Sequence, residues 1–349
     1  MKQAIIVGAQ GVIGRYITGH LHGLGGWDIV GLSRRVPTER EFQARHIAVD
    51  LLDRADAEAK LSQFTEATHV FYCAFQARPT WAEHNAPNLA MLVNAVEPIA
   101  RASSRLQHVN LVEGTKYYGS HLGAFKTPAK ESDSPHMLPN FYYDQERWLR
   151  AAQVGRSWSW SALRLHTICG FALGNPMNLM LNLGVYASIS KELGLPLRFP
   201  GHPGAFTAVY QMTDSSLLAR GMTWAATTPA AANQVFNLTN GDYFRWSNLW
   251  PRLARAFDIE AGPVQTIKLA ELMADKGPLW ATMQKKYDLQ PHPYEQLAAW
   301  PFADYVWGSA WDIMSSTTKI RQAGFHDVID TEEAILAMLA DFRHRRIIP

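Results

Sequence analysis

Cysteine is scarce in this chain, with two in 349 residues, Cys73 and Cys169. Two thiols cannot make a disulfide framework, so a reducing, cytoplasmic setting is the simplest expectation. An excess of either charge is also missing. There are 33 basic side chains against 31 acidic ones, a formal net charge of +2. That balance supplies no global attraction to nucleic acid or an anionic membrane, and neither is expected as a partner. Long apolar runs are lacking too. The most apolar region, 177–195, is interrupted by Asn178, Asn182, Ser188, Ser190, Lys191 and Glu192, which makes it a poor bilayer span. At the start, Met1-Lys2-Gln3 runs straight into Ala4-Ile5-Ile6-Val7-Gly8, which reads as a buried strand rather than a secretory signal.

Several chemical signatures are absent as well. The 13 histidines form no His-Glu-x-x-His, and the cysteines form no Cys-x-x-Cys. His20 and His22, two apart on an expected helix, diverge, so no metal site is expected. No Gly-x-Ser-x-Gly elbow occurs, which argues against a serine hydrolase of that type. Cys73 and Cys169 each end an expected strand, where small apolar residues suit close packing better than nucleophilic work.

What is present is an alternation of strands and helices. With 47% hydrophobic residues the chain has ample material for a core. Strands are expected at Ala4–Val7, Asp28–Leu32, His46–Val49, His69–Cys73, His108–Val112 and Ser161–Ile168. Helices are expected at Val12–His22, Ala55–Phe64, Pro87–Ala102 and Tyr142–Gln153. The pattern implies an α/β, Rossmann-type, doubly wound parallel sheet with ligands at the strands' carboxyl ends. After Gly170 the pattern turns mainly helical: Asn178–Glu192, Met212–Ala225, then a strand at Gln234–Leu238 and a last helix at Thr331–Arg345. The expected division is a dinucleotide-binding domain at 1–170 with a return segment at about 205–240, and a smaller, mainly helical substrate-binding cap from 171–204 and 241–349. Trp246 and Trp250, four apart, read as one buried helix face.

Gly8-Ala9-Gln10-Gly11-Val12-Ile13-Gly14 follows the first strand and opens the first helix. In such a turn the first glycine permits the tight bend, the second lets the backbone approach a pyrophosphate, and the third lets helix and strand pack closely. The helix N-terminus adds free N–H groups and a partial positive charge. NAD enzymes place an acidic residue about 20 positions further on to hold the ribose 2′-hydroxyl. Here that place reads Leu32-Ser33-Arg34-Arg35, with two guanidiniums suited to a 2′-phosphate, so NADPH is the expected cofactor. Asp50 and Leu51, after the third strand, are expected beside the adenine. Ala74, after the fourth, and Ile168 and Met177, after the sixth, complete the expected cofactor contacts, the last two at the nicotinamide.

Short-chain reductases on this fold usually carry Tyr-x-x-x-Lys on one helix, and no tyrosine here satisfies it. Tyr143 is followed four residues on by Arg147, Tyr142 by Glu146 and Tyr117 by His121. Instead, Gly114-Thr115-Lys116-Tyr117-Tyr118-Gly119 ends the fifth strand and Asn140-Phe141-Tyr142-Tyr143-Asp144-Gln145-Glu146 opens the following helix. Together with Arg164 to Phe171, Pro196 to Gly201 and Phe236 to Asp242, these resemble the marker segments of the progesterone 5β-reductase/iridoid synthase-like family, an atypical branch of the extended short-chain dehydrogenases. The resemblance covers nearly the whole chain. It departs at Glu146-Arg147, where the family often has Glu-Asp, and at Gly123-Ala124, where Gly-Pro is common.

The resemblance implies that Tyr143 and Lys116 form the active pair, with Tyr143 also bordering the cofactor, and that Tyr142 is structural or a pocket wall. It implies NADPH-dependent reduction of a carbon–carbon double bond conjugated to a carbonyl, in a small hydrophobic substrate. A tyrosine hydroxyl then stabilises the enolate oxygen, with the lysine in support. Three alternatives remain open at this point: reduction at the carbonyl carbon itself, a non-catalytic NADP(H)-sensing protein, and, from the fold alone, a nucleotide-sugar epimerase or dehydratase. Among oligomeric states, symmetry statistics alone favour a homodimer.

Overall fold

The apolar strands of the first half are buried on both faces, as a parallel sheet requires. The computed structural model describes residues 1–37, 42, 44–175 and 177–349. Its main sheet contains β1 (Lys2–Val7), β2 (Trp27–Ser33), β3 (Arg45–Ala48), β4 (His69–Tyr72), β5 (His108–Gly114) and β6 (Ser159–Leu165). A short pair, β7 (Thr167–Cys169) and β8 (Met212–Asp214), lies apart, and β9 (Gln234–Leu238) returns to the main sheet. The strand order is β3-β2-β1-β4-β5-β6-β9, parallel throughout. Connections leave β1 towards β2 and return to β4 on its other side, so the carboxyl ends of β1 and β4 flank the crevice where such sheets bind ligands.

Two apolar layers cover the sheet. Ile17 and Leu21 of α1 (Val12–Leu24) share one with Leu217, Leu218 and Met222 of a later helix, Ser215–Thr227. Leu61 of α2 (Arg54–Leu61), Leu92 and Val96 of α3 (Trp81–Ala102) and Leu149 of α4 (Phe141–Gln153) share the other. A third core gathers 14-residue α5 (Leu179–Glu192) and the helices beyond residue 244. At its centre Phe199, Trp246, Trp250 and Trp307 meet with ring centroids 5.0–6.2 Å apart. Trp246 and Trp250 occupy one buried face of their helix, as their spacing predicts. Among the described residues no helix is long and apolar enough to cross a membrane.

Three elements differ from the sequence expectation, each for a local reason. The third helix starts at Trp81, ahead of Pro87, because Thr80 and Glu83 form a reciprocal capping box. The expected strand Ser161–Ile168 breaks at His166, whose N–H goes to Thr213 Oγ1 (3.1 Å) and whose Nε2 meets Ser315 Oγ (2.9 Å). The expected helix Met212–Ala225 begins as strand β8. Asp214 then caps the helix by accepting from the Ser216 N–H at 2.8 Å.

Candidate active site

The glycine turn is held by contacts that leave no space for side chains at Gly8 and Gly14. Gly8 has φ +86°, and a Cβ there would stand 3.0 Å from the Ala74 backbone. A Cβ on Gly14 would stand 2.2 Å from the Gly8 carbonyl oxygen and 2.6 Å from Ala9 Cα. Gly11 caps α1 without a side chain, so the first-turn N–H groups remain aimed at the crevice. Val12 is buried in that turn and Ile13 half-buried. Gln10 donates its amide to Ser33 Oγ (2.9 Å) and to the Arg35 carbonyl, tying the glycine turn to the loop after β2. Arg34 and Arg35 are exposed on that loop.

Beyond β3, the Asp50 carboxylate accepts from the Leu52 N–H (3.0 Å), and the Asp50 N–H donates to Asp56 Oδ2 (2.9 Å). Asn94 fixes the neighbouring Leu51 carbonyl at 2.8 Å. A Cβ on Gly170 would meet Val12 Cγ2 at 2.7 Å, so the end of β7, next to Ile168, lies against the start of α1. Met177 donates its N–H to Asn175 Oδ1 (2.9 Å), just before α5. The cradle that added Cβ atoms would fill, the uncapped helix start and the basic loop together fit a nicotinamide dinucleotide.

The second half of the site lies at the end of β5, where Thr115–Tyr118 forms one tight helical turn. Asn140 joins this turn to α4. Its Oδ1 accepts from the Tyr142 N–H (3.1 Å) while its Nδ2 donates to the Lys116 carbonyl (2.7 Å). One amide thus caps the helix and sets the lysine backbone against it.

The two adjacent tyrosines have opposite circumstances. Tyr143, 5% exposed, donates its hydroxyl to the Tyr117 carbonyl (2.6 Å) and accepts from the His136 N–H (2.7 Å). Its proton is committed to the backbone, where it pins the 119–139 loop. Tyr142 is half-buried, and its hydroxyl has no protein hydrogen-bond partner among the described residues. That hydroxyl stands 3.1 Å from where a Cβ on Gly114 would be, and burial pushes its pKa up. The geometry therefore disagrees with Tyr143 as the reacting hydroxyl and makes Tyr142, expected as structural or a pocket wall, the available donor. The reason is the helical period: neighbouring residues point about 100° apart, and the Asn140 cap turns the first tyrosine to the strand end.

Lys116 is largely desolvated, with Nζ 4.8 Å from the Trp81 ring centroid and 4.9 Å from that of Tyr305. Burial pulls its pKa down to about 8. The rings offset part of the lost hydration through their negative faces.

Four residues after Tyr142, where other short-chain reductases carry lysine, stands Glu146. Its Oε2 accepts from Arg164 Nη2 at 2.6 Å. Arg164, 1% exposed on β6, also donates Nε to Glu113 Oε2 (2.8 Å) and Nη1 to the Tyr118 hydroxyl (3.1 Å). Its Cζ lies 3.2 Å from the Tyr117 ring centroid. Tyr118 passes its own proton to Asn237 Oδ1 on β9 (2.6 Å). Both carboxylates take Arg164, and Glu146 Oε1 also accepts from Arg150 Nε at 2.8 Å. Burial pushes Glu113 up against the pull of Arg164, and Glu113 Oε1 has no partner among the described residues.

The structure brings Gly8, Gln10, Gly11, Gly14, Ser33 and Ala74 together at one edge, and Lys116 with both tyrosines at the next strand end. Sequence reasoning missed the Asn140 link, the Arg164 cluster and the Trp81 and Tyr305 walls. Arg164 and Glu113 carried a signal, being charges inside otherwise apolar strands. Trp81 and Tyr305 carried none, because their meeting is purely tertiary.

Comparison with known proteins identifies the family and the fold. The PRISE-like Rossmann-fold domain matches residues 46–349. An (S)-8-oxocitronellyl enol synthase of Nepeta racemosa is 34% identical over 365 aligned residues, covering 99% of this chain and 93% of that protein. A 3-oxo-Δ4,5-steroid 5β-reductase of Arabidopsis thaliana is 33% identical over 364, with 99% and 93% covered. Among solved structures, a UDP-glucose 4-epimerase of Thermotoga maritima superposes with a TM-score of 0.71 at 16% identity, covering 98% of this chain and 99% of the epimerase. The Thermus thermophilus UDP-glucose 4-epimerase complex with NAD gives 0.67 at 17%, with 98% and 99% covered. These likenesses to epimerases show the shared fold alone. The chain belongs to the PRISE-like Rossmann-fold family, a family of short-chain-dehydrogenase-type oxidoreductases.

Proposed function

We propose that this protein is an NADPH-dependent reductase of carbon–carbon double bonds conjugated to a carbonyl, in small hydrophobic enones and enals. The observation that carries the reading is the Tyr142 hydroxyl, half-buried and without a protein partner among the described residues, at the strand end that Asn140 ties to Lys116. The names of the relatives, an oxocitronellyl enol synthase and a steroid 5β-reductase, support the same class of chemistry.

Gly8, Gly11 and Gly14 would admit the pyrophosphate, and Arg34 and Arg35 the 2′-phosphate that distinguishes NADPH. Asp50 and Leu51 would border the adenine, and Ala74, Ile168 and Met177 the rest of the cofactor. Bound NADPH supplies a hydride to the β-carbon. Negative charge then gathers on the carbonyl oxygen, and Tyr142, held protonated by burial, donates a hydrogen bond to it. Lys116 keeps the site electropositive. Solvent protonates the α-carbon, so no side chain need do so. Residues 171–204 and 241–349 form the substrate-binding side.

The test is NADPH oxidation with cyclohexenone and small enals, with products identified, in wild type, Tyr142→Phe and Tyr143→Phe. A saturated carbonyl product is expected. Tyr142→Phe should lower kcat about 10²–10³-fold, the usual loss for one oxyanion donor. Tyr143→Phe should lower thermal stability more than turnover. The reverse ranking would return the donor role to Tyr143, and an allylic alcohol product would move the chemistry to the carbonyl carbon.

A further inference from the structure

We propose that Tyr305 is a second hydrogen-bond donor to the substrate's carbonyl oxygen, so that the oxyanion site consists of two phenols, one from each side of the cleft. This rests on the reductase reading and deepens it by naming a catalytic residue contributed by the C-terminal helices.

Tyr305 lies on the helix Trp300–Gly308 and is held in place on both sides. Before it, Asp304 accepts from the N–H groups of Leu269 (2.8 Å) and Ala270 (2.9 Å). After it, Val306 and Trp307 are buried in the third core, and the Trp307 carbonyl takes the His202 N–H at 2.8 Å. The ring stands against Lys116, whose Nζ lies 4.9 Å from its centroid.

Tyr305 bears electrostatically on two other phenols, Tyr142 and Tyr210. Tyr210 is already satisfied by Thr167 Oγ1 at 2.5 Å. Tyr142 and Tyr305 are not: neither hydroxyl has a protein hydrogen-bond partner among the described residues. Burial pushes the Tyr305 phenol up to about 12, which keeps it a donor at neutral pH. A wall for the Lys116 ammonium needs only an aromatic face, and phenylalanine would supply that equally. The hydroxyl is the part left over: Tyr305 is 37% exposed, and a donor with no protein acceptor that remains open to the cleft fits an oxyanion that exists only during turnover.

Tyr305→Phe isolates that hydroxyl while leaving the ring over Lys116. With the full chain, NADPH and cyclohexenone, kcat is expected to fall at least about tenfold with KM and melting temperature little changed. A second readout needs no turnover: para-nitrophenol, whose phenolate imitates an enolate, titrated into the NADP⁺-bound protein and followed by its yellow absorbance. Wild type should favour the phenolate, and Tyr305→Phe should bind it at least about tenfold more weakly. Unchanged kcat together with unchanged phenolate affinity in Tyr305→Phe would overturn the proposal. Should wild type reduce no enone at all, the reductase reading fails first, while the phenolate titration still decides whether Tyr305 donates.

Discussion

The turn after β1 and the turn after β5 face the same edge of one sheet, yet they are made from opposite materials. The first is almost all backbone. Gly8, Gly11 and Gly14 clear space, and the start of α1 offers N–H groups whose charge is fixed by geometry. The second is almost all side chain. Asn140 spans two elements, Lys116 sits between two rings, and Arg164 gathers two carboxylates and two tyrosines inside the protein. A dinucleotide carries its own charges and needs only a shape that receives them. On the proposed reading an enolate is made in place, and stabilising it takes groups already stripped of water. The binding turn should therefore fail by steric overlap, and the reacting turn by loss of charge balance.

That contrast is sharpest at Arg164. Arg164→Leu leaves Glu113 buried without its guanidinium and Glu146 with Arg150 alone, and removing one partner of such a cluster costs about 3–5 kcal/mol. Denaturant unfolding should show it, and replacing all three residues by apolar ones should recover most of the loss. A loss under about 1 kcal/mol in the single variant would mean the cluster is open to water. Gly14→Ala comes next. Its methyl meets backbone atoms that cannot rotate away, so cofactor binding should vanish in calorimetry, with about 1–3 kcal/mol of destabilisation. Retained binding would break the steric account of the first turn.

Smaller changes test the charges. Arg34→Ala with Arg35→Ala should weaken NADPH by about 1.5–3 kcal/mol, the worth of hydrogen bonds to a charged group, and leave NADH binding unchanged. An equal loss for both cofactors would reassign the loop. The mildest test is pH. Lys116 has a folded-state pKa of about 8, below lysine's ordinary value, so its protonation costs stability below about pH 8, and the cost fades as pH rises towards about 10. Lys116→Met should thus gain stability at neutral pH and little at about pH 10, read from melting curves. In wild type kcat/KM should decline as pH rises through about 8, where the ammonium is lost.

The same contrast explains what could be read in the sequence. Residue identity alone encodes a steric demand, so the glycine turn and the strands leading to it were legible from Gly8, Gly11 and Gly14. Hydrophobic alternation likewise placed the sheet. The Asn-Phe-Tyr-Tyr segment pointed to this helix start but not to which of its two rings leaves a hydroxyl without a protein partner. Which of two neighbouring tyrosines faces the strand end depends on how Asn140 seats the helix, and that depends on the Lys116 carbonyl. The break at His166 was hidden for a similar reason, since its partners Thr213 and Ser315 are remote in sequence. Trp81 and Tyr305 meet only through Lys116, and no local pattern announces that.

Asn237 has a bearing on the order in which the chain is made. Its Oδ1 accepts from the Tyr118 hydroxyl, and its Nδ2 donates to the carbonyls of Ala129 and Ser316, both at 3.1 Å. On a ribosome the residues of the glycine turn emerge first and β1, β2 and β4 can pair early. The tyrosine turn, already tied to Asn140 and Tyr143, gains its Tyr118 anchor only after residues 237 and 316 have been synthesised, so a nascent chain can complete its glycine turn well before its tyrosine turn.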